Sequence, residues 1–158
     1  MEFGICHLNC IAIRKDPSDQ SEMVSQLLFG ETFHVLQEDL EWVKIHMDYD
    51  FYEGWVLKKQ ILELDEDTYK RIALNDPFFS DEMVTFVNDK DQHPQILTLG
   101  AGLPEYNNGI FTLDEVNYAF DGDVITGQQK KINLVLTAYK FLNAPFLWGG
   151  RTPFGVDC

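Results

Sequence analysis

The residues best suited to chemistry stand at the end of the sequence, where Cys158 follows Asp157 and a turn rich in glycine and proline. A cysteine thiol is a candidate nucleophile, but its ordinary pKa of about 8.5 keeps it weak until a histidine or a helix N-terminus lowers that value. The four histidines all stand upstream of this turn: His7, His34, His46 and His93. We interpret them as surface or rim residues, so we expect these residues on their own not to form a competent thiol enzyme.

Length and composition are those of an ordinary globular protein with one domain or two small ones. The chain has 158 residues, of which 45% are hydrophobic and 24% are charged. Its formal net charge of −14 argues against nucleic acid and against anionic membrane surfaces, and would suit a partner that carries amines. Since no apolar run approaches the roughly 20 residues of a membrane span, we expect no membrane association.

The cysteines and the N-terminal residues indicate which cellular compartment and which metal sites to expect. Three cysteines are an odd number and do not make a disulfide framework. Residues 1–5 show no basic stretch before an apolar core, so we expect a cytoplasmic protein, or a periplasmic or cell-envelope one if a leader was removed. On a strand, Cys6 and Cys10 would share a face while His7 points away, which favours two structural thiols over a metal site. We expect no metal and no other cofactor.

The first part of the chain, residues 1–64, has the pattern of a small β-barrel. In Trp42–Met47 the residues Trp42, Lys44 and His46 alternate with Val43, Ile45 and Met47, which is typical of a half-buried strand. Five short strands joined by tight turns within about 60 residues predict a barrel rather than an open sheet.

The middle part, residues 65–127, combines a short connector helix with a second set of short strands. The strand candidates are residues 83–87, 96–99, 110–113, 116–120 and 124–125. They are separated by turns at a spacing like that of the first part, so we predict a second small barrel, a degenerate repeat of the first.

The last part, residues 128–158, begins with a helical pattern. Five apolar residues recur at helical spacing and would form one face: Ile132, Val135, Leu136, Tyr139 and Leu142. The helix should end before Pro145, since proline disfavours helical backbone in the residue before it. Gly149-Gly150 and Pro153 then set a bent approach to Cys158.

Two groups of residues carry a family resemblance. Gly30-Glu31, Trp42-Val43-Lys44-Ile45 and Gly54-Trp55-Val56 resemble a bacterial SH3 (SH3b) domain. Leu147-Trp148-Gly149-Gly150 and Asp157-Cys158 are similar to the start of the catalytic domain of NlpC/P60 cysteine peptidases, in particular γ-D-glutamyl-L-diamino acid endopeptidases of the dipeptidyl-peptidase VI type. The resemblance implies a mainly β fold: tandem SH3-like barrels, then the first helix of an incomplete α+β papain-like domain in residues 128–158.

The resemblance also implies roles for individual residues. Cys158 matches the nucleophile, and Asp157 matches an acidic residue that helps to hold the free N-terminal amine of a cell-wall peptide. Trp148 would contact the same peptide, and Glu53 could present an acid to its ammonium group or simply be a solvated surface residue. Phe146 stands where the family usually has a tyrosine, and losing such a donor could cost about 2.7–4 kcal/mol of transition-state stabilisation.

Three functions stay open from the sequence. The chain could be the SH3b-bearing portion of a muropeptide endopeptidase that cleaves γ-D-glutamyl-diamino acid bonds, with its base histidine supplied from elsewhere. It could be a non-catalytic SH3b module that binds cell-wall peptides. It could also be a truncated product whose apolar tail serves no purpose.

Overall fold

The computed structural model describes residues 1–89 and 91–158 and confirms the mainly β fold class. The helices are α1 (Glu66–Ala73) and α2 (Lys131–Lys140), with a 3₁₀ turn at Lys58–Gln60. The strands are β1 (Phe3–Cys6), β2 (Cys10–Arg14), β3 (Met23–Leu28), β4 (Thr32–Glu38), β5 (Trp42–Met47), β6 (Glu53–Leu57), β7 (Ile61–Leu64), β8 (Phe78–Ser80), β9 (Val84–Asn88), β10 (Pro94–Thr98), β11 (Ile110–Leu113), β12 (Val116–Ala119), β13 (Val124–Thr126), β14 (Arg151–Thr152) and β15 (Gly155–Val156).

Strands β1–β7 form one antiparallel sheet in the order β3-β2-β6-β5-β4-β1-β7. The alternation predicted for β5 is confirmed, because Val43, Ile45 and Met47 are fully buried while the residues between them face the other side. Together with Phe33 of β4 and Ile13 of β2 they fill the centre of this sheet.

The prediction of five strands in this part was wrong, since the sheet has seven. Residues 7–9 form a turn that separates β1 from β2, and β7 pairs with β1 at the edge of the sheet. The predicted single strand through Cys6 and Cys10 is therefore two strands that are not neighbours in the sheet. Cys6 is buried and Cys10 is half-buried, and both are free thiols.

The middle part holds its strands in three separate pairs, β9–β10, β11–β12 and β8–β13. Strands β9–β13 lie within a few residues of the predicted positions, whereas β8 (Phe78–Ser80) was not predicted. Helix α1 precedes them, and Asp65 caps it by accepting a hydrogen bond from the Thr68 amide at 2.9 Å. The description of residues 65–127 as a second SH3-like barrel stays a prediction.

The first and middle parts share one hydrophobic core. Phe29 follows β3 and packs edge-on against Phe111 of β11, with ring centroids 5.7 Å apart. The same core contains buried residues of both parts: Phe3, Ile5, Phe29, Leu64, Val87, Leu97, Ala101, Leu103, Phe111, Leu113 and Phe120. Gly30, with φ of +78°, lies so close to Gly102 that a Cβ there would overlap its backbone. Neither part could therefore lose the other without exposing its own core.

Helix α2 forms where the sequence predicts it, but none of its residues is buried. The predicted apolar face is solvent-exposed at Ile132, Val135, Leu136 and Tyr139. Lys140 connects the end of the helix to the middle part through hydrogen bonds to the carbonyl and carboxylate of Asp81, both 3.0 Å long. No helix in the described part of the chain has the length and apolar character needed to cross a membrane.

Candidate active site

A Gly-Gly turn brings the end of the chain onto strand β3. Gly149 has a φ of +72°, and a Cβ on it would lie 2.9 Å from the Met23 carbonyl oxygen, so only glycine fits this approach. The chain then forms the small β14–β15 hairpin, in which Thr152 pairs with Gly155 and is almost fully buried. The segment 149–158, which we call the thiol segment, therefore lies directly against the first sheet.

Cys158 is exposed, and Asp157 ties it to the rest of this segment. One carboxylate oxygen of Asp157 accepts a hydrogen bond from the Gly149 amide at 2.7 Å, and the other accepts one from the Cys158 amide at 2.8 Å. The Gly149 amide, and after it the Cys158 amide, lowers the pKa of the Asp157 carboxyl below its ordinary value. Asp157 is consequently an anion next to an accessible thiol.

The other two thiols have different surroundings. Burial raises the pKa of the Cys6 thiol well above its ordinary value, and burial also raises the pKa of the Cys10 thiol. Cys6 donates weakly to backbone carbonyls of Leu8 and Leu27. Exposure thus distinguishes Cys158 as the thiol that a ligand could reach.

Arg151 anchors the segment to the first sheet. Its guanidinium donates to both carboxylate oxygens of Glu31, at 2.7 and 3.0 Å, and to the Gln26 carbonyl at 2.6 Å. Its backbone amide donates to the Gln26 side chain at 2.7 Å. The side chain of Glu31 is only 6% exposed and also accepts from the Leu28 amide at 2.8 Å. Burial raises the pKa of Glu31, and the bonds from Arg151 oppose that shift.

The remaining predicted site residues lie apart from this cluster. The Trp148 indole donates to Glu22 at 2.9 Å, and its ring is 57% exposed beside the Gly-Gly turn. Glu53 on β6 pairs with Lys44 at 2.7 Å, and this contact lowers the pKa of its carboxyl. Within residues 1–89 and 91–158, no hydrogen bond or ion pair joins Glu53 to the segment 149–158. Phe146 is exposed and forms a parallel bridge with Val156.

The four histidines make their contacts elsewhere. In the part of the chain that the structure describes, no hydrogen bond joins any of them to Cys158. His34 lies 2.8 Å from the Tyr69 hydroxyl, His46 packs against Phe51, and His93 lies 3.2 Å from Asp89. Burial lowers the pKa of His7. None of these side chains activates the thiol in this structure.

A cavity of about 670 Å³ opens between the first sheet, helix α1 and the middle part. Its walls include carboxylates and aromatic rings, among them Glu31, Asp48, Tyr49, Phe79 and Tyr106. The Tyr49 ring also lies 6.0 Å from the Arg151 guanidinium. The cavity therefore adjoins the contact that anchors the end of the chain.

One group of side chains has the spacing of a metal site. Asp89, Asp91 and His93, between β9 and β10, place their ligand atoms within 4.8 Å of one another. Asp89 accepts hydrogen bonds from the backbone amides of both other residues, each 2.9 Å long. These bonds explain the position of the Asp89 carboxylate as that of a turn residue, without a metal ion. Lys90 lies outside the described residues.

Sequence reasoning missed Arg151 as the anchor of the thiol segment and Gln26 and Glu31 as its partners on the first sheet. It also missed Glu22, the partner of Trp148. Glu31 had been read only as part of the SH3b signature. A buried acid needs a cation or hydrogen-bond donors, but the burial of Glu31 is known only from the structure. The sequence separation of 120 between Glu31 and Arg151 leaves no local sequence pattern that connects them.

Comparison with known proteins bears on the first sheet most directly. Residues 13–61 match the family model described as "Bacterial dipeptidyl-peptidase Sh3 domain". These residues are similar to an SH3 domain of this type, and on that basis we call the first part of the chain, residues 1–64, the SH3 domain. That model covers less than half of the chain, and it includes β3, the strand on which the thiol segment lies.

Curated relatives extend the similarity beyond the SH3 domain. The chain is 28% identical over 149 residues to a γ-D-glutamyl-L-lysine dipeptidyl-peptidase of Bacillus subtilis (strain 168), covering 85% of this chain and 49% of that protein. It is 24% identical to dipeptidyl-peptidase 6 of Lysinibacillus sphaericus, covering 90% of this chain and 60% of that protein. The chain is thus homologous to these peptidases and spans about half the length of the relatives it matches.

A solved structure supports the fold. The chain superposes on an NlpC/P60 family protein from Bacillus cereus ATCC 10987 with a TM-score of 0.79 at 15% sequence identity. The superposition covers 99% of this chain and 68% of that one. Similarity at this identity shows that the arrangement of the SH3 domain, the middle part and the end of the chain occurs in a known protein.

Proposed function

We propose that this chain is the SH3-bearing portion of a cysteine endopeptidase that cleaves γ-D-glutamyl-diamino acid bonds in cell-wall peptides. The observation that supports it is the exposed Cys158, tied by Asp157 to a segment that rests on the SH3 domain. Homology to γ-D-glutamyl-L-lysine dipeptidyl-peptidases supports the substrate class.

The reaction would proceed by acyl transfer to sulfur. The Cys158 thiolate attacks the γ-glutamyl carbonyl, the amine of the diamino acid leaves with a proton, and water then releases the acid from the thioester. A base must take the thiol proton, and the histidines of the described residues lie elsewhere. We therefore place the base outside these 158 residues, which on their own are expected to bind peptide without hydrolysing it.

The neighbouring groups suit a peptide with a free N-terminal amine. Asp157 supplies an anion beside the thiol, and Trp148 offers an exposed ring beside the Gly-Gly turn. Glu53 is paired with Lys44 and would have to release it before binding the substrate ammonium. Its proposed role is therefore supported less directly than those of Asp157 and Trp148.

Peptide titration tests this proposal. L-Ala-γ-D-Glu-L-Lys is added to the isotope-labelled chain while the Trp148 indole and Asp157 amide resonances are followed. We expect saturable shifts at both, with weaker binding of the N-acetylated peptide and of the α-linked isomer. Equal responses to all three peptides, or none at millimolar concentration, would count against the substrate class.

The alternative, a module that binds cell-wall peptides without cutting them, is favoured by the absence of a histidine hydrogen-bonded to Cys158 within residues 1–89 and 91–158. It predicts saturable chemical-shift changes at residues of the SH3 domain and no changes at residues of the thiol segment. Shifts at Asp157 and Trp148 distinguish the two proposals.

A further inference from the structure

Polar contacts, rather than apolar burial, hold the thiol segment on the SH3 domain. Phe154 within the segment, and Leu147 and Trp148 just before it, all remain at least 40% exposed. The buried positions of the segment are mostly glycines, which bring little apolar surface out of water. Its attachment must therefore come from hydrogen bonds and charge.

Arg151 and Glu31 supply the most enclosed of these contacts. The two carboxylate oxygens accept from two different guanidinium nitrogens, a bidentate geometry that lysine cannot reproduce. Glu31 is itself fixed by the Leu28 amide, and Gln26 accepts from Arg151 through its carbonyl and its side chain. The groups that accept hydrogen bonds from Arg151 are thus held in place by the SH3 domain itself.

The backbone of the β14–β15 hairpin connects this contact to the thiol. Arg151 pairs with Val156 across the β14–β15 hairpin. The next residue, Asp157, donates its amide to the Gly150 carbonyl at 3.0 Å and accepts from the Gly149 and Cys158 amides. Fixing Arg151 therefore fixes the backbone on both sides of Asp157.

We propose that Glu31 and Arg151 are positioning residues that set the place of Cys158 relative to the SH3 domain. Their link to catalysis rests on the proposed peptidase function, whereas the coupling between the contact and the thiol segment does not. The SH3 domain is in this view part of the active-site framework, since its Glu31 carboxylate holds the guanidinium that anchors the thiol segment.

Amide hydrogen exchange of the 158-residue chain tests the coupling without any peptide. In Arg151→Met we expect exchange at the Asp157 amide to rise about tenfold or more. The Val35 amide, which donates to the Glu2 carbonyl at 2.8 Å inside the sheet, should keep its protection. Arg71→Met removes a more exposed Arg–Glu pair away from the segment and should leave exchange at the Asp157 amide unchanged.

A second variant covers the case in which a lone buried carboxylate unfolds the domain. Arg151→Met combined with Glu31→Gln removes both charges, and should give the same fast exchange at Asp157 while Val35 stays protected. Arg151→Lys should restore only part of the protection. Wild-type exchange at Asp157 in a variant whose Val35 is protected would overturn the proposal. Such a result leaves the peptide titration, and with it the proposed function, unaffected.

Discussion

At the residue scale, the Asp157 carboxylate connects the Gly-Gly turn to the thiol. Its two oxygens accept from the amides of Gly149 and Cys158, so the negative charge and the backbone geometry depend on each other. A depressed pKa means that the folded chain holds the ionised form more strongly than the unfolded chain does.

This arrangement predicts a pH dependence for the thiol segment. The contribution of Asp157 is fully present above the ordinary aspartate pKa of about 3.9 and is lost as pH falls through its lower folded value. Following the Gly149 amide resonance during acid titration should give an inflection below about pH 3.9. The inflection should be absent in Asp157→Asn, and an inflection at or above the ordinary value in wild type would contradict the assignment.

The residue scale is also where sequence was least informative. Asp157 and Cys158 could be chosen because their types and adjacency suggest chemistry, and their roles in catalysis stay predictions. Glu31 and Arg151 could not be paired, since nothing in either local sequence reports a contact 120 residues away. Such pairs follow from the topology, which places β3 and the end of the chain side by side.

At the scale of elements, the turn at Gly149 decides whether the β14–β15 hairpin can lie on β3. Replacing Gly149 by alanine places a Cβ 2.9 Å from the Met23 carbonyl in a left-handed conformation. We expect the hairpin to detach, seen as loss of the Trp148–Glu22 contact in indole chemical shift and as faster exchange of the Asp157 amide.

A second glycine with a similar backbone conformation serves as a control that distinguishes the effect of steric overlap from that of backbone strain. Gly127 also has a left-handed φ, of +61°, but a Cβ there would meet no atom within 4 Å. Gly127→Ala should therefore cost only about 1 kcal/mol of stability and leave the Asp157 amide protected. Equal effects of the two substitutions on that amide would show that the fit against β3 is not what positions the hairpin.

Elements with a clear hydrophobic periodicity could be predicted from the sequence. Elements defined by which strands pair with one another could not. The alternation in β5 and the helical spacing in α2 are local and were predicted correctly. The turn at residues 7–9 interrupts an apolar alternation that continues on both sides, so the sequence suggested one strand where the sheet has two. The exposure of α2 was not predictable, because an apolar stripe does not specify its partner.

At the scale of the whole molecule, the shared core joins the SH3 domain to the middle part. Phe29 is fully buried between them, against Phe111 and near Tyr118. Since both parts complete the same core, we expect the chain to unfold cooperatively rather than part by part.

Phe29→Ala tests this shared core. Removing a buried phenylalanine typically costs about 3–5 kcal/mol, and here the loss should appear as a single transition at lower urea concentration. Phe86→Ala, at a ring that is 65% exposed, should change the unfolding free energy by about 0.5 kcal/mol or less. Separate transitions for the two parts in wild type would show that the core does not couple them.

The most direct test is covalent labelling by a substrate analogue, L-alanyl-γ-D-glutamate with its γ-carboxyl converted to a chloromethyl ketone. We predict that labelling saturates with concentration, occurs at Cys158 and exceeds the rate for the N-acetylated analogue. Cys6 and Cys10 should stay unlabelled because burial raises the pKa of both thiols. Labelling that rises linearly with concentration and is equal for the two analogues would contradict the assignment of Cys158 as the nucleophile for γ-glutamyl peptides.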